Sequence, residues 1–161
     1  MIDWLPETIE LSDHQGNWRA YEAAVYAAFM TDFVSSKPLF RGKALALKRH
    51  PVVKDKEATY WHIISDGKDE QDRIPNLRRC ERIKWAKAVV EHADDPAVKI
   101  WVVPNGSEKR IHLWLEEACY LVVLAQRQTY IIFWTAFYIE HAHQARKYQK
   151  AYDAYQAQLR E

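Results

Sequence analysis

Glycine is scarce in this 161-residue chain, at four residues, and none of the four belongs to a phosphate-cradling loop. The GxGxxG and GxxxxGK[ST] patterns are missing, which argues against the two common nucleotide-binding turns. GxSxG is missing as well, so the common hydrolase elbow is not expected. Cysteine is rarer still: Cys80 and Cys119 stand far apart, each inside an apolar pattern. They are expected to be buried, reduced thiols rather than a disulfide or a metal pair. No apolar run approaches the roughly 20 residues that span a bilayer. The opening residues, Met1 to Glu7, carry neither a basic stretch nor an apolar one, so a secretory signal is not expected. These absences together point to a cytoplasmic protein without a membrane partner.

What is present is a large stock of apolar and aromatic side chains. Apolar residues make up 48% of the chain, with 7 Trp, 9 Tyr and 5 Phe, enough for a sizeable core and against global disorder. The length fits one domain, residues 1–161. The net charge is only +1 but is unevenly spread. Residues 1–36 carry −5, residues 37–87 carry +7 and residues 88–161 carry −1. A basic middle has two readings: a localised anionic partner, or charges that mix on the folded surface.

Periodicity predicts an α+β fold. Asp13 to Asn17 offer helix caps, and Tyr21, Ala24, Val25, Ala28 and Phe29 recur at helical spacing, giving a helix over about 17–34. Pro38 disfavours its continuation. Residues 39–40 and 44–47 read as a short strand, broken at His50-Pro51. Residues 59–65 are either a strand or one or two helical turns, and 66–72 form a polar loop. Pro75 opens a helix over about 76–92, with Leu77, Cys80, Lys84, Trp85 and Val89 on one face. Strands follow over 98–103, 110–116, 119–125 and 130–139, the first two joined by the Asn105-Gly106 turn signal. Ile111, Leu113 and Leu115 alternate with His112, Trp114 and Glu116. The unbroken apolar run 119–125 suits a central strand covered on both faces. Short connections make these strands an antiparallel meander. A C-terminal helix over 140–161 carries the stripe His141, Ala145, Tyr148, Tyr152, Tyr155 and Leu159, expected to pack rather than stack on bases. The fold class is therefore N-terminal helices packed on a four-stranded antiparallel meander sheet, with a C-terminal helix. By composition the chain divides into an acidic helical part (1–36), a basic segment (37–93), the sheet (98–139) and that last helix.

Chemistry concentrates in the basic segment. Of seven histidines only His141 and His143 are closely spaced, and on a helix they do not share a face, so no metal site and no cofactor is expected. Lys56-Glu57-Ala58-Thr59-Tyr60-Trp61-His62, Arg73 and Arg78-Arg79-Cys80-Glu81-Arg82 bring an imidazole, hydroxyls, carboxylates and guanidiniums within 27 residues. Metal-free RNA cleavage needs such a set: a base for the 2′-OH, an acid for the leaving 5′-oxygen, and cations for the phosphorane. Each residue also has a structural reading. His62 fits a hydrogen-bonded core position, Arg73 a pairing with Asp69 or Asp72, Arg78, Arg79 and Arg82 an exposed helix face, Lys56 and Glu57 a solvated turn, and the strand tryptophans a core.

The order Phe40-Arg41-Gly42-Lys43, Lys56-x-x-Thr59-x-Trp61-His62-x-Ile64-Ser65, Arg73, Arg79-Cys80-Glu81-Arg82-Ile83-x-Trp85, Tyr120 to Leu124 and Trp134-Thr135-Ala136-Phe137 resembles phage and bacterial nucleases of the barnase–EndoU–colicin–RelE (BECR) type. The resemblance covers about residues 38–150. It implies a helical part on a curved four-stranded antiparallel sheet and metal-independent RNA cleavage by a toxin or defence effector, with RNA as substrate and a cognate inhibitor or immunity protein as partner. Carried over, His62 is the general acid/base, Arg73 and Arg79 hold the scissile phosphate, and Thr135, at the end of the last strand, contacts phosphate or positions His62. Lys56, Thr59, Arg78 and Arg82 are the expected substrate-binding residues. The acidic N-terminal part falls outside the resemblance; one hypothesis has it shielding the basic cleft. A rival expectation is a non-catalytic module that binds nucleic acid or an acidic protein through residues 37–87. A third is an antitoxin-neutralised partner using its acidic helix and basic centre for oligomer contacts.

Overall fold

The computed structural model describes residues 2–67, 69 and 73–161. A 3-10 turn at Leu11–His14 leads into α1 (Trp18–Phe29), and the chain continues as a π-helical stretch, Met30–Ser35. The Asn17 side chain accepts from the Ala20 N–H at 3.1 Å and so caps α1. Tyr21, Val25, Phe29 and Phe33 form its buried stripe. Strands β1 (Leu39–Phe40) and β2 (Lys43–Ala44) make a small hairpin.

Helix α2 (Ala58–Ile64) settles the ambiguity of residues 59–65. All seven of its residues are buried, and a buried segment away from a ladder satisfies its backbone best as a helix. Strands β3 (Ser65–Asp66) and β4 (Ile74–Pro75) pair across the polar loop, of which residues 68 and 70–72 lie outside the described residues.

The helix expected over 76–92 is two helices, α3 (Leu77–Glu81) and α4 (Ile83–Glu91). Arg82 leaves helical geometry at φ −107° and ψ 19°. The break re-aims the following turn. Ile83, Ala86, Val89 and Val90 are buried, whereas Lys84, expected on the inner face, is exposed. Glu81 is also buried, and its carboxylate takes Arg78 at 2.7 Å and Arg82 at 3.1 Å.

The four-stranded sheet is the expected antiparallel meander, β5 (Val98–Asn105), β6 (Glu108–Leu115), β7 (Tyr120–Gln126) and β8 (Ile131–Tyr138), in that spatial order. Asn105 pairs with Glu108, so Gly106 and Ser107 are the turn; Gly106, at φ +63°, occupies a conformation that glycine adopts without a steric cost. The expected alternation holds on β6: Ile111, Leu113 and Leu115 join the main core, while Trp114 joins a second cluster on the opposite face. Strand β7 is covered on both faces, buried from Tyr120 to Ala125.

The main core draws on α1, α2, α4 and the inner sheet face, with Phe33 edge-on to Phe133 at 4.8 Å. Helix α5 (Ala142–Leu159) lies on the other face, where Ala145, Tyr148, Tyr152 and Tyr155 pack on Trp101, Trp114 and Leu121. The tyrosine stripe is therefore packing, as expected. Its end is not: Leu159 is 62% exposed. The thiol expectation is half right. Cys80 is buried and burial pushes its thiol up to about 12, but Cys119 is exposed. Cys119 sits at φ +56° in the turn before β7 rather than within the strand. Among the described residues, no helix is long and apolar enough to cross a membrane.

Candidate functional site

Helix α2, the β3–β4 hairpin, α3 and β8 enclose a cleft of about 320 Å³. His62, Arg73, Arg79 and Thr135, which sequence reasoning named as catalytic, all line it. His62 comes from α2, Arg73 from just before β4, Arg79 from α3 and Thr135 from β8, as much as 73 positions apart in the chain. Thr135 lies in the middle of β8 rather than at its end, because the strand runs on to Tyr138.

The carbonyls at the C-terminal end of α2 organise the site. A helix end presents partial negative charge and unpaired carbonyls, and cations settle there. Thr135 Oγ1 donates to the His62 carbonyl at 2.7 Å, and Arg79 Nη1 donates to the same carbonyl at 3.1 Å. The Ser65 carbonyl receives Arg79 Nη1 at 3.0 Å and Arg73 Nη2 at 2.7 Å. Arg73 also donates to the Gly67 carbonyl at 2.8 Å and to Ser65 Oγ at 3.1 Å, and the Ser65 hydroxyl donates to the Trp61 carbonyl. The expected pairing of Arg73 with Asp72 lies outside the described residues.

Asp66, Gly67, Trp134 and Phe137 complete the cleft. Asp66 Oδ1 meets Arg79 Nη2 at 2.7 Å, and Asp66 Oδ2 accepts from Asn76 at 3.0 Å. Phe137 lies under the Arg79 guanidinium at 5.1 Å, and burial holds that group below its ordinary value. Trp134, read from sequence as core, packs against the second cluster and also lines the cleft, where it meets the His62 ring edge-on at 5.4 Å. The signal for it was adjacency to Thr135, already under suspicion. His62 is 6% exposed, with its surface at the cleft wall. Chemically, the cleft wall holds an imidazole, two guanidiniums, a carboxylate and a hydroxyl.

The four residues expected to bind substrate do not line this cleft. Thr59 is fully buried; its hydroxyl accepts from the Lys48 N–H at 2.8 Å and donates to the Lys48 carbonyl at 3.0 Å, tying α2 to the preceding loop. Lys56 pairs with Glu22 at 3.8 Å and sits over Tyr26. Arg78 is held on Glu81, and Arg82 lies over the Tyr138 ring at 4.1 Å. Arg78 and Arg79 both belong to α3 and, as adjacent helix residues, do not share a face, while Arg82 at the break turns to Glu81 and Tyr138. Among the described residues, none of 2–36 lines the cleft, and Glu22 meets Lys56 of the basic segment instead. Part of the basic segment thus mixes with acidic partners, including Asp94 on Arg41.

A larger depression of about 680 Å³ runs between the β1–β2 hairpin, β5 and the end of α5. Ile100, Val102 and Tyr155 line it with Asp94, Asp95, Arg41 and Lys43, and no histidine is among its lining residues. His141 and His143 stack on each other at 5.5 Å, and among the described residues no group of three His, Cys, Asp or Glu is placed to hold a metal ion. Comparison with protein-family models, with curated proteins and with solved structures finds no match to this chain.

Proposed function

We propose that the protein is a metal-independent endoribonuclease of the BECR type, working in the cytoplasm as a toxin or defence effector with a cognate inhibitor. The observation that carries this reading is the convergence of His62, Arg73, Arg79 and Thr135 on one cleft. In the proposed reaction the ribose 2′-oxygen attacks the adjoining phosphorus and the bond to the 5′-oxygen breaks. The products are a 2′,3′-cyclic phosphate and a free 5′-hydroxyl. His62 moves a proton at one of these two oxygens, as a general acid or base, and solvent serves the other. The guanidiniums stabilise the charge on the phosphorane, and Arg79 exchanges Asp66 for a phosphate oxygen. Thr135 holds the His62 backbone and thereby positions its ring.

The decisive experiment treats total RNA with wild type, His62→Ala and His62→Gln in EDTA, with fragment ends mapped and folding checked by circular dichroism. Wild type should leave cyclic phosphate ends, and both folded variants should lose about 100-fold or more in rate. Retained cleavage in folded His62→Gln removes His62 from the mechanism.

One observation favours a second reading. Arg73 and Arg79 donate to backbone carbonyls of the protein itself, as structural arginines do. A non-catalytic nucleic-acid-binding protein would use the same surface, bind with a steep salt dependence and cleave nothing.

A further inference from the structure

Residues 134 and 135 are consecutive on a strand, and consecutive strand residues face opposite sides of a sheet. Here they do not. Val123 pairs with Thr135 and Leu124 with Phe133, so Trp134 has no residue opposite it. This is a β-bulge, a device that re-aims a side chain. Phe133 and Ala136 keep to the inner core, while Trp134 and Thr135 both line the cleft. Without the bulge, one of the two would have been directed into the core.

The surroundings of the re-aimed indole are cationic. The Arg110 guanidinium stands 4.2 Å from its centroid and the Lys48 ammonium 5.5 Å. Arg110 shares the Glu108 carboxylate with Arg127, at 2.6 and 2.9 Å, so one acid serves two guanidiniums. Arg110 Nε is buried and has no hydrogen-bond partner among the described residues. Arg127 in turn lies near Tyr130, which is 48% exposed. An aromatic plane flanked by cations, beside a cleft with two further arginines, suits a nucleotide whose base stacks and whose phosphates meet the guanidiniums.

We propose that Trp134 is the base-stacking residue of this cleft and that its ligand is an unpaired RNA strand, with one base on the indole and the adjoining phosphate at Arg79 and His62. This rests on the ribonuclease reading for the identity of the cleft, and it adds a substrate class. A duplex keeps its bases stacked on one another and offers none to the indole, so it should bind less well.

The test uses wild type, Trp134→Phe and Trp134→Ala with fluorescent 2′-O-methyl octanucleotides, which offer no free 2′-hydroxyl for cleavage. One strand is fully based, one is abasic with the same phosphates, and one is annealed to its complement. Anisotropy should show the based strand losing about 5- to 100-fold in affinity for Trp134→Ala, with most of it kept in Trp134→Phe. The abasic strand should bind all three proteins alike, and the duplex should bind wild type more weakly than the single strand. Equal losses on based and abasic strands, no loss at all, or no binding by wild type would each overturn the proposal. So would poly-glutamate displacing the strand and binding at higher affinity, which would make an acidic protein the partner. The two readings fail separately. Cleavage with unchanged KM in Trp134→Ala removes the stacking and leaves the nuclease. Base-dependent binding with no cleavage of any RNA removes the nuclease and leaves the stacking.

Discussion

The two faces of the sheet are built from the same strands but serve different ends. The inner face is dry and apolar: Leu113, Val122, Leu124, Phe133 and Ala136 are fully buried against α1, α2 and α4. The outer face mixes tryptophans with Arg110, His112 and Lys99, and α5 covers it without burying any residue of its own. A face closed by large interlocking side chains gains stability but offers nothing to a ligand. A face covered by a single polar helix leaves an end open, and the cleft lies at that end. The comparison shows how a small fold supports a site: one side of the sheet supplies the stability, and the other is free to carry charge.

The difference can be put to the test by substitution. Phe133→Ala on the inner face should cost about 3–5 kcal/mol, read as a lower urea midpoint. Tyr148→Ala beneath α5 should cost about 1–2 kcal/mol, because its site is half open and relaxes. Equal costs would mean that α5 is as integral to the core as α1. Thr135→Val, which keeps the shape and removes the donor to the His62 carbonyl, should lower stability by about 1 kcal/mol. It should also reduce kcat more than it raises KM, since a carbonyl held less firmly lets the His62 ring wander.

The smallest effect concerns acid. Burial, with Arg110 nearby as a like charge, holds the His112 imidazole below its ordinary value of 6.5. The folded state therefore favours the neutral ring. As pH falls below 6.5 the unfolded chain takes up a proton that the folded chain refuses, and stability is lost until the folded group titrates in its turn. His112→Gln should flatten the dependence of Tm on pH below 6.5. An unchanged slope would assign the acid sensitivity elsewhere.

The sheet was legible because its alternation is a local, two-residue signal: Ile111, Leu113 and Leu115 declared their face without reference to anything distant. The helix over 76–92 was misread as one because its break depends on contacts remote in sequence. Arg82 leaves the helix where it can reach both Glu81 and the Tyr138 ring of β8. The break takes Arg82 out of the run, and Arg78 and Arg79, adjacent on α3, turn to different partners, Glu81 and Asp66. Residues 59–65 were too short for any period, and tertiary burial decided them. His62, Arg73, Arg79 and Thr135, singled out for phosphate chemistry and by the resemblance, line one cleft. Asp66 and Trp134 were missed for different reasons. Asp66 opens a polar loop in which every carboxylate looked alike, and Trp134 depends on a bulge, which breaks the very alternation used to read strands.

The hydrogen bond between Thr135 and His62 spans 73 positions of chain. During synthesis, His62, Arg73 and Arg79 leave the ribosome well before β8 has been made. A nascent chain that ends before residue 134 holds the charged half of the cleft without its indole and hydroxyl wall. The cleft is therefore completed only when the last strand docks, and a chain still short of β8 presents one wall of it alone.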